Sequence, residues 1–418
     1  MERGKLMEKE GKFSYGKILA IGSGFLALTL VWTVYNTYMP LLLGDFIESR
    51  AIRGGIMGLD NLMAVILIPV IGAWSDKLKS PLGGRLPFIV IGMPLAAIFF
   101  ILLPFMSQTT LVFLLIIDII FLLTMTIYRA PVIALMPDHT PVEKRSTANG
   151  VINFMGGVGA LLALFALAPL YDIATSYPFI VGGIILFIAF IVLFIVVDRH
   201  PKYVSESDDE NEEAMALKAL KNDIGKLLQS KFRAHLFILI AIFLYFIGYS
   251  GLEAQFSVYA TEHLGATGGE AGLTLGFFSL SFVVFAIPAG LVGTKLGKGK
   301  TMLIGLVILP LIFILMPFFT SLTLLKIMLF AGGVGWALIN VQAYPLVADL
   351  GGMTKIGFFT GMYYLFSMAS SIFAPGILGL SMDLFGHPSL FYTAASSFVI
   401  AFLFLKLGMN KLEQVSVD

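Results

Sequence analysis

YPFIVGGIILFIAFIVLFIVV, residues 177–197, contains 21 consecutive residues without a charge. A helix of about 20 apolar residues is long enough to cross a hydrocarbon core about 30 Å thick. The run is followed by a polar segment that includes the acidic stretch SESDDENEE (205–213). The sequence here therefore predicts a helix that spans a membrane and then leaves it for water.

Similar apolar runs recur along the whole chain, which has 418 residues, 58% of them hydrophobic and 13% charged. A soluble domain carries about 25% charged residues, so much of this surface must face a lipid bilayer. We predict an all-α membrane protein with twelve transmembrane helices, at residues 18–43, 54–75, 87–106, 110–136, 147–170, 177–197, 234–261, 271–293, 301–319, 324–348, 355–380 and 389–407.

Lysine and arginine residues are unevenly divided between the loops on the two sides of these spans. The side that carries both chain ends has 23 of them, whereas the other side has only Arg50, Arg53 and Lys326. Because cytoplasmic loops are enriched in Lys and Arg, we expect a multi-pass protein of the cell membrane with both termini in the cytoplasm. The charged first residues show no pattern of a cleaved signal peptide.

The predicted spans form two sets of six. The first half is residues 1–197, a cytoplasmic linker follows at 198–233, and the second half is residues 234–418. Within the linker, MALKALKNDIGKLL is typical of an amphipathic helix on a membrane surface.

Short segments match between the two halves, namely GAWSDK (72–77) with GLVGTK (290–295), Asp138 with Asp349, and Gly150 with Gly361. The Asp pair and the Gly pair are both 211 residues apart. Many secondary transporters consist of paired halves around a site near the midplane. We therefore expect two pseudo-symmetric six-helix bundles, with spans one, four, seven and ten innermost.

Polar and aromatic side chains concentrate in those four spans. An ionisable group inside a bilayer is costly and is usually functional, and an aromatic face beside an amide suits a sugar. The candidate substrate-binding residues are Trp32, Tyr35, Asn36, Asp118, Arg129, Tyr249, Glu253, Gln255, Trp336, Asn340 and Gln342. In contrast, Asp45, Asp60 and Glu262 are near span ends, where we expect them to be solvated.

Asp118, Arg129 and Glu253 are the candidates for coupling transport to an ion. Asp118 and Arg129 share a helix face but are eleven residues, or about 16 Å, apart along the axis, so they cannot pair directly. Alternating access changes the surroundings of a carboxylate, which can then load a proton on one side and release it on the other. We predict that Asp118 carries the proton beside Arg129, with Glu253 as the competing carrier.

GAWSDKLKSPLGGRLP (72–87) resembles the loop signature of the major facilitator superfamily: a Gly, an Asp with a basic residue, then Gly and Arg. The resemblance implies a cytoplasmic gate made of Asp76, Arg85 and Asp138, with Arg145 nearby. In that gate, Asp76 and Arg85 pair with the opposite half, or with Asp138, only when the cytoplasmic side is closed.

YRAPVIALMPDHTPVEKRSTANGVINFMGG (128–157) resembles the glycoside–pentoside–hexuronide and sucrose:cation symporter branch of that superfamily. GYSGLEAQFSVYATEHLG (248–265) is similar to the same branch, with Glu253 at its acidic position. The resemblance implies uptake of a sugar or glycoside together with a proton or Na⁺. In the plant sucrose carriers the span-four Arg directly precedes the ALxxD element, whereas Arg129 stands four residues earlier here.

Several other functions find no support in the sequence. Cysteine is absent, and GKGKT (297–301) lacks the Gly five residues before Gly299 that a phosphate-binding loop needs. We therefore expect no enzymatic activity, no cofactor, no metal site and no nucleic-acid partner, and we expect a monomer. Two alternatives to sugar uptake remain: efflux of amphipathic compounds, and a non-transporting sensor or receptor on the same fold.

Overall fold

The structure is a computed structural model that describes residues 14–201, 203, 233–350 and 356–417. Within these ranges all regular secondary structure is helical, and twelve helices are long and apolar enough to cross a membrane. They are α1 Tyr15–Gly44, α2 Arg50–Lys77, α3 Leu86–Met106, α4 Leu111–Asp138, α5 Thr147–Ile173, α6 Tyr177–Val196, α7 Arg233–Leu264, α8 Gly268–Leu296, α9 Lys298–Phe318, α10 Leu322–Leu350, α11 Phe358–Phe385 and α12 Ser389–Leu412. The predicted fold class and the twelve spans are confirmed, whereas the amphipathic linker helix lies outside the described residues.

Each half of the chain has its own large hydrophobic core. The core of the first half contains buried residues between Ile18 and Val197, and that of the second half contains buried residues between Ile238 and Leu405. Exposed apolar side chains, such as Ile195 and Ile287, cover the outside of the bundles. This pattern suits two six-helix bundles whose outer surfaces face lipid and whose inner surfaces face each other.

Two helices depart from regular geometry. α2 is interrupted at Gly58, which separates Arg50–Met57 from Leu59–Lys77, and α5 contains a π-helical turn at Leu162–Leu167. Both irregular helices pack against the other half of the protein: α2 against α11, and α5 against α8. The deviations therefore lie in the helices that join the two bundles.

The two faces of the bundle differ in how the halves are joined. We call the face that carries Tyr15 and Val196 the terminal face and the face that carries Gly44 and Ile173 the opposite face. Among pairs of described residues, every hydrogen bond and ion pair between the halves lies towards the opposite face. Examples are the ion pairs of Arg50 with Glu262 (2.6 Å) and of Arg53 with Glu262 (2.7 Å).

The ion pairs recorded at the terminal face stay within one half. Lys17 pairs with Asp198 (2.6 Å) and Arg85 pairs with Asp138 (2.9 Å) in the first half, while Lys298 pairs with Asp349 in the second. The structure is therefore closed at the opposite face, and among the described residues no ion pair ties the halves together at the terminal face.

Close backbone contact between α2 and α11 contributes to the closure of the opposite face. A Cβ atom at Gly54 would lie 2.1 Å from the carbonyl oxygen of Pro375, and one at Gly58 would lie 2.2 Å from that of Ile372. Real Cβ atoms do not approach backbone oxygens so closely, so only glycine allows the two helices to touch here.

Gly54→Ala is expected to lower the Tm of the detergent-purified protein. The added methyl group must push α2 away from α11, and overpacking of this kind costs about 1–3 kcal/mol. The control is Gly55→Ala on the same helix, because a Cβ atom at Gly55 has no neighbour within 4 Å. Alanine is favoured over glycine in a helix by about 1 kcal/mol, so this control should be unchanged or stabilised. Equal changes in Tm for both variants would contradict the tight contact.

Candidate functional site

A cavity of about 320 Å³ lies between the two halves. Five helices contribute to it, three from the first half and two from the second, which are α1, α2, α4, α7 and α11. The lining residues are Leu28, Thr29, Trp32, Asn36, Met57, Asp60, Asn61, Arg129, Phe246, Tyr249, Ser250, Glu253, Ala254, Ser371 and Pro375. Spans one, four, seven and ten were expected to be innermost. α1, α4 and α7 do line the cavity, but α10 does not, and α2 and α11 line it instead.

Three ionisable side chains of the cavity come from different helices. Arg129 of α4 and Asp60 of α2 belong to the first half, and Glu253 of α7 belongs to the second. The guanidinium carbon of Arg129 lies 5.7 Å from the ring centre of Trp32, a distance at which a cation is attracted to an aromatic face. Within the described residues Arg129 has no ion pair shorter than 4.0 Å, so its charge is available to a ligand.

Asp60 is buried and has one close partner. One of its carboxylate oxygens accepts hydrogen bonds from the backbone N–H (2.5 Å) and the side-chain amide (2.6 Å) of Asn61. The charge of Arg129 acts on Asp60, and the charge of Asp60 acts on Glu253. The cavity therefore holds two carboxylates and one guanidinium that influence each other electrostatically.

Aromatic rings form part of the cavity wall. The ring of Tyr249 stacks on that of Trp336 with their centres 4.0 Å apart and their planes at 6°. Trp336 itself is buried and does not line the cavity. Of the two predicted tryptophans, Trp32 thus faces the cavity, whereas Trp336 supports Tyr249 from behind.

Asp118 lies apart from the cavity in the core of the first half. Its side chain is fully buried and its neighbour is the hydroxyl of Tyr35. Neither carboxylate oxygen makes a hydrogen bond of normal geometry to any described residue. Trp32, Tyr35 and Phe121 pack together there, with ring centres 5.3 to 6.1 Å apart. The expected placement of Asp118 and Tyr35 in the binding site is therefore not what the structure has in this conformation.

The predicted amides of the second half are also away from the cavity. The side-chain N–H₂ of Gln255 donates to the carbonyls of Arg50 (3.1 Å) and Pro375 (2.9 Å), and that of Gln342 donates to the carbonyl of Ala289 (2.9 Å). Asn340 is half-buried but is not among the lining residues. Gln255 and Gln342 satisfy backbone carbonyls where helices cross, so their amides are committed to packing.

Asp60 and Glu262 correct the expectation of solvated acidic groups near span ends. α2 begins at Arg50, four residues before the predicted span, so Asp60 lies about 15 Å along the helix from its start. Glu262 is held by Arg50, Arg53 and His387 rather than by water alone. The sequence does contain a signal that Asp60 belongs to the site, since Asp60 and Asn61 are adjacent polar residues within an apolar run.

The terminal face carries a second polar cluster, built around Arg85. Its guanidinium donates to Asp138 (2.9 Å) and to the hydroxyl of Ser75 (2.5 Å), and it also pairs with Asp76. Burial alone would lower the pKa of Arg85, but the hydrogen bond and charge of Asp138, followed by those of Asp76, raise it above the ordinary value. Arg145 lies nearby and donates to the carbonyl of Pro137 (3.4 Å).

The Arg85 cluster lies within one half of the protein. Arg85 was expected to pair with Asp138 only when that side of the protein is closed, and the pair that the structure shows does not involve the second half. The reason is that Asp76, Arg85 and Asp138 all belong to the first half. A comparable pair, Lys298 with Asp349, exists within the second half.

His139 fastens the end of α6 to the end of α4. Its Nδ1 donates to the carbonyl of Leu135 (2.8 Å), which leaves Nε2 to accept from the backbone N–H of Asp198 (3.2 Å). Burial lowers the pKa of His139, against the raising effects of the Leu135 carbonyl and of the charges of Asp198 and Asp138, while Lys17 adds to the lowering. The neutral form is therefore the one that this contact favours.

The chain is similar to known proteins in both sequence and fold. The family model of the Major Facilitator Superfamily matches residues 21–267 and 238–414. The tetracycline resistance protein, class H, of Pasteurella multocida is 30% identical over 182 residues, which is 42% of this chain and 44% of that protein. The class E protein of Escherichia coli is 24% identical over 281 residues, 64% of each chain.

The quinolone resistance protein NorA of Staphylococcus aureus is 26% identical over 162 residues, 39% of this chain and 41% of that protein. The chain thus spans less than two thirds of the length of each of these relatives. The nucleoside transporter NupG has a TM-score of 0.74 at 14% identity, over 93% of this chain and 98% of that one. A bacterial homologue of the lysosomal transporter Spinster, inward-facing and occupied, has a TM-score of 0.71 at 16% identity, over 96% and 98%. At such identities the likeness concerns the fold.

His139 is expected to make the protein less stable as the pH falls. A free histidine has a pKa of about 6.5, and burial lowers it here, so below that pH the unfolded chain binds more protons than the folded one. His139→Gln should therefore lose less Tm than the unchanged protein between about pH 7.5 and about pH 5.5. The exposed His200, changed to Gln, is the control. An equal loss of Tm in the His139→Gln variant would show that His139 does not set this dependence.

Proposed function

Since the chain belongs to the Major Facilitator Superfamily, whose transporters bind small-molecule substrates, we propose that it takes up a sugar or glycoside together with a proton or Na⁺. The polarity of the central cavity is the observation that carries this proposal. Eight of its fifteen lining residues are polar or charged, and they come from both halves. Buried polar groups need hydrogen-bond partners, and a ligand rich in hydroxyl groups supplies both donors and acceptors.

The arrangement of the lining groups adds to this argument. Trp32 and Tyr249 offer flat aromatic faces, against which the CH faces of a sugar ring can stack. Asn36, Asn61 and Arg129 supply N–H donors, and Asp60 and Glu253 supply acceptors. A few placed polar groups within an otherwise apolar wall are what orient a small ligand.

Efflux of an amphipathic compound is the second candidate. The curated relatives are resistance proteins for tetracycline and quinolones, although their identity to this chain is 30% or less. Trp32, Phe246 and Tyr249 would contact a flat apolar body. Against this candidate, an apolar drug would leave several of the eight polar lining groups without partners, which costs binding energy.

We place the terminal face in the cytoplasm, because Lys and Arg concentrate on that side of the chain. The closed opposite face then corresponds to an inward-facing state of a protein in the cell membrane. In the alternate state the terminal face closes, and we propose that the Asp76, Arg85 and Asp138 cluster is part of the surface that meets the second half there. No change in transport rate on Asp76→Asn would argue against this gate.

Glu253 is the better-placed candidate for the coupling proton. It lies between the central cavity and a void of about 10 Å³, room for about one water molecule, that Thr33 and Ser279 also line. Opening and closing of the two faces must change the hydration of a carboxylate in this position. Asp118, which is enclosed behind Tyr35, would need a rearrangement within the first half before water could reach it.

Glu253→Gln is expected to abolish accumulation of substrate driven by a pH gradient while leaving exchange of substrate across the membrane. The amide keeps the size and the hydrogen-bonding oxygen of the side chain but cannot carry the proton. Uptake and counterflow in proteoliposomes measure the two processes separately. Asp118→Asn is the comparison, and Asp45→Asn, at an exposed residue of the opposite face, is the control. Uncoupling by Asp118→Asn but not by Glu253→Gln would reverse the assignment.

A panel of radiolabelled sugars and glycosides in proteoliposomes, with and without an imposed pH gradient, tests the substrate class. We expect at least one sugar to accumulate only when the gradient is present. Trp32→Leu should weaken its uptake, because the stacking surface beside Arg129 is lost. Tetracycline and a quinolone form the other arm of the test. Gradient-driven movement of these drugs, with no sugar transported, would favour the efflux candidate.

A further inference from the structure

A carboxylate at the end of α5 reaches across to the second half at the opposite face. One oxygen of Asp172 accepts from the hydroxyl of Thr267 (2.7 Å), and the other accepts from the backbone N–H of Gly269 (2.7 Å). Thr267 is the N-cap of α8. Asp172 therefore binds the beginning of a helix that belongs to the other bundle.

A second carboxylate, at the end of α11, makes the same kind of contact in the reverse direction. One oxygen of Asp383 accepts from the hydroxyl of Ser49 (2.8 Å) and from the backbone N–H of Ala51 (3.0 Å), and the other accepts from that of Arg50 (3.0 Å). Ser49 is the N-cap of α2. The second half thus holds a helix of the first half as the first half holds one of the second.

The two contacts are related by the internal repeat of the sequence. Asp172 and Asp383 are 211 residues apart, the same spacing as between Asp138 and Asp349. The helix beginnings that they bind, Thr267 and Ser49, are 218 residues apart, the spacing between GAWSDK and GLVGTK. One and the same contact is therefore built twice, once on each side of the pseudo-twofold axis.

We propose that Asp172 and Asp383 are a pair of clasps that hold the opposite face closed, and that this face opens when both release the helices they bind. Hydrogen bonds that an ionised carboxylate accepts from a helix N-terminus are strengthened by the charge and by the helix dipole. Each clasp joins one half of the protein to the other. The Asp172 clasp can exist only while α5 contacts α8, and the Asp383 clasp can exist only while α11 contacts α2. The proposal rests on the alternating access proposed above.

The helices can survive the release of the clasps. The hydroxyl oxygen of Thr267 also accepts from the backbone N–H of Glu270 (3.1 Å), and that of Ser49 accepts from the N–H of Ile52 (3.3 Å). Each N-cap hydroxyl therefore donates to the clasp across the interface and accepts from its own helix. When the clasp opens, the N-cap hydrogen bond of the helix stays in place. Opening therefore breaks the hydrogen bonds to the Asp carboxylate but does not unwind the first turn of the helix.

The two clasps differ in the charges around them. Arg50 pairs with Glu262 (2.6 Å) and with Asp383 (3.2 Å) and lies 2.7 Å from the ring nitrogen of His387. At the other clasp, Glu270 completes a capping box with Thr267 inside the second half. Removal of Asp172 alone therefore leaves the Arg50 ion pairs intact, and these still hold the halves together. The decisive test is the variant that lacks both the Asp172 and the Asp383 carboxylates.

The absence of cysteine from the sequence gives a direct test. Ala254→Cys places a single thiol in the central cavity, and a membrane-impermeant maleimide added to one side of proteoliposomes reports which face is open. In this background, Asp172→Asn with Asp383→Asn should raise labelling from the opposite face several-fold and lower it from the terminal face. Each single change should have a smaller effect in the same direction.

Glu270→Gln is the matched control, because this carboxylate at the beginning of α8 accepts from the backbone N–H of Thr267 in its own half and makes no hydrogen bond or ion pair to a described residue of the first half. It should leave labelling from both faces unchanged. A double Asp variant that stays folded, by its Tm, and labels like the parent would overturn the proposal. Labelling as expected in a protein that transports no sugar would overturn the proposed substrate and leave the clasps standing.

A cross-link between α5 and α8 is a second test, and it leaves the ion pairs of Arg50 and Arg53 on α2 in place. The hydroxyl oxygen of Thr267 lies 2.7 Å from a carboxylate oxygen of Asp172, so Asp172→Cys with Thr267→Cys places two thiols within disulfide reach without adding a Cβ atom to a glycine. Oxidation should prevent labelling of the cavity from the opposite face and stop transport, and a reducing agent should restore both. Continued transport with the disulfide formed would show that this junction need not open.

Discussion

A polar group at membrane depth needs a partner inside the protein or water in a cavity, and among the described residues the central charged and amide side chains meet this requirement except for the carboxylate of Asp118. The amides of Gln255 and Gln342 meet it by binding backbone carbonyls where helices cross. Arg129, Asp60 and Glu253 cannot all meet it that way, and the structure gives them a shared cavity between the halves. The site exists because the two bundles leave these charges a space that neither bundle fills.

Span number and span position follow from the sequence because both depend on local composition. Each helix must be long and apolar enough to cross the membrane on its own, and that property can be read from about 20 residues at a time. Depth within a span is less secure, as Asp60 shows. The predicted span began four residues later than α2 does in the structure. Asp60 was therefore placed near the end of the span and interpreted as solvated, whereas it is buried.

Which side chains meet across helices is a property of packing rather than of any single segment. Asp118 lies in the apolar run LLIIDIIFLL (114–123) and is enclosed behind Tyr35, whereas Glu253 lies among small and polar residues in GYSGLEAQFS (248–257) and lines the cavity. The sequence of each helix gives no strong difference between its sides, so it does not show which side faces the cavity. The internal repeat carries more information, since Asp138 and Asp349, which are 211 residues apart, each pair with a basic residue at the beginning of the third span of their own half, Arg85 and Lys298.

The two faces of the protein differ in whether their ion pairs and hydrogen bonds join the two halves. At the opposite face Arg50, Arg53 and Asp172 bind partners in the second half, so separation of the halves there breaks every one of these contacts. At the terminal face Arg85 and Lys298 keep their partners within their own halves, so those pairs need not break when that face opens. A ligand can shift such an equilibrium only by the difference in its affinity for the two states. Because the cavity groups come from both halves, a ligand that bridges Arg129 and Glu253 favours whichever state brings those two residues to the right separation.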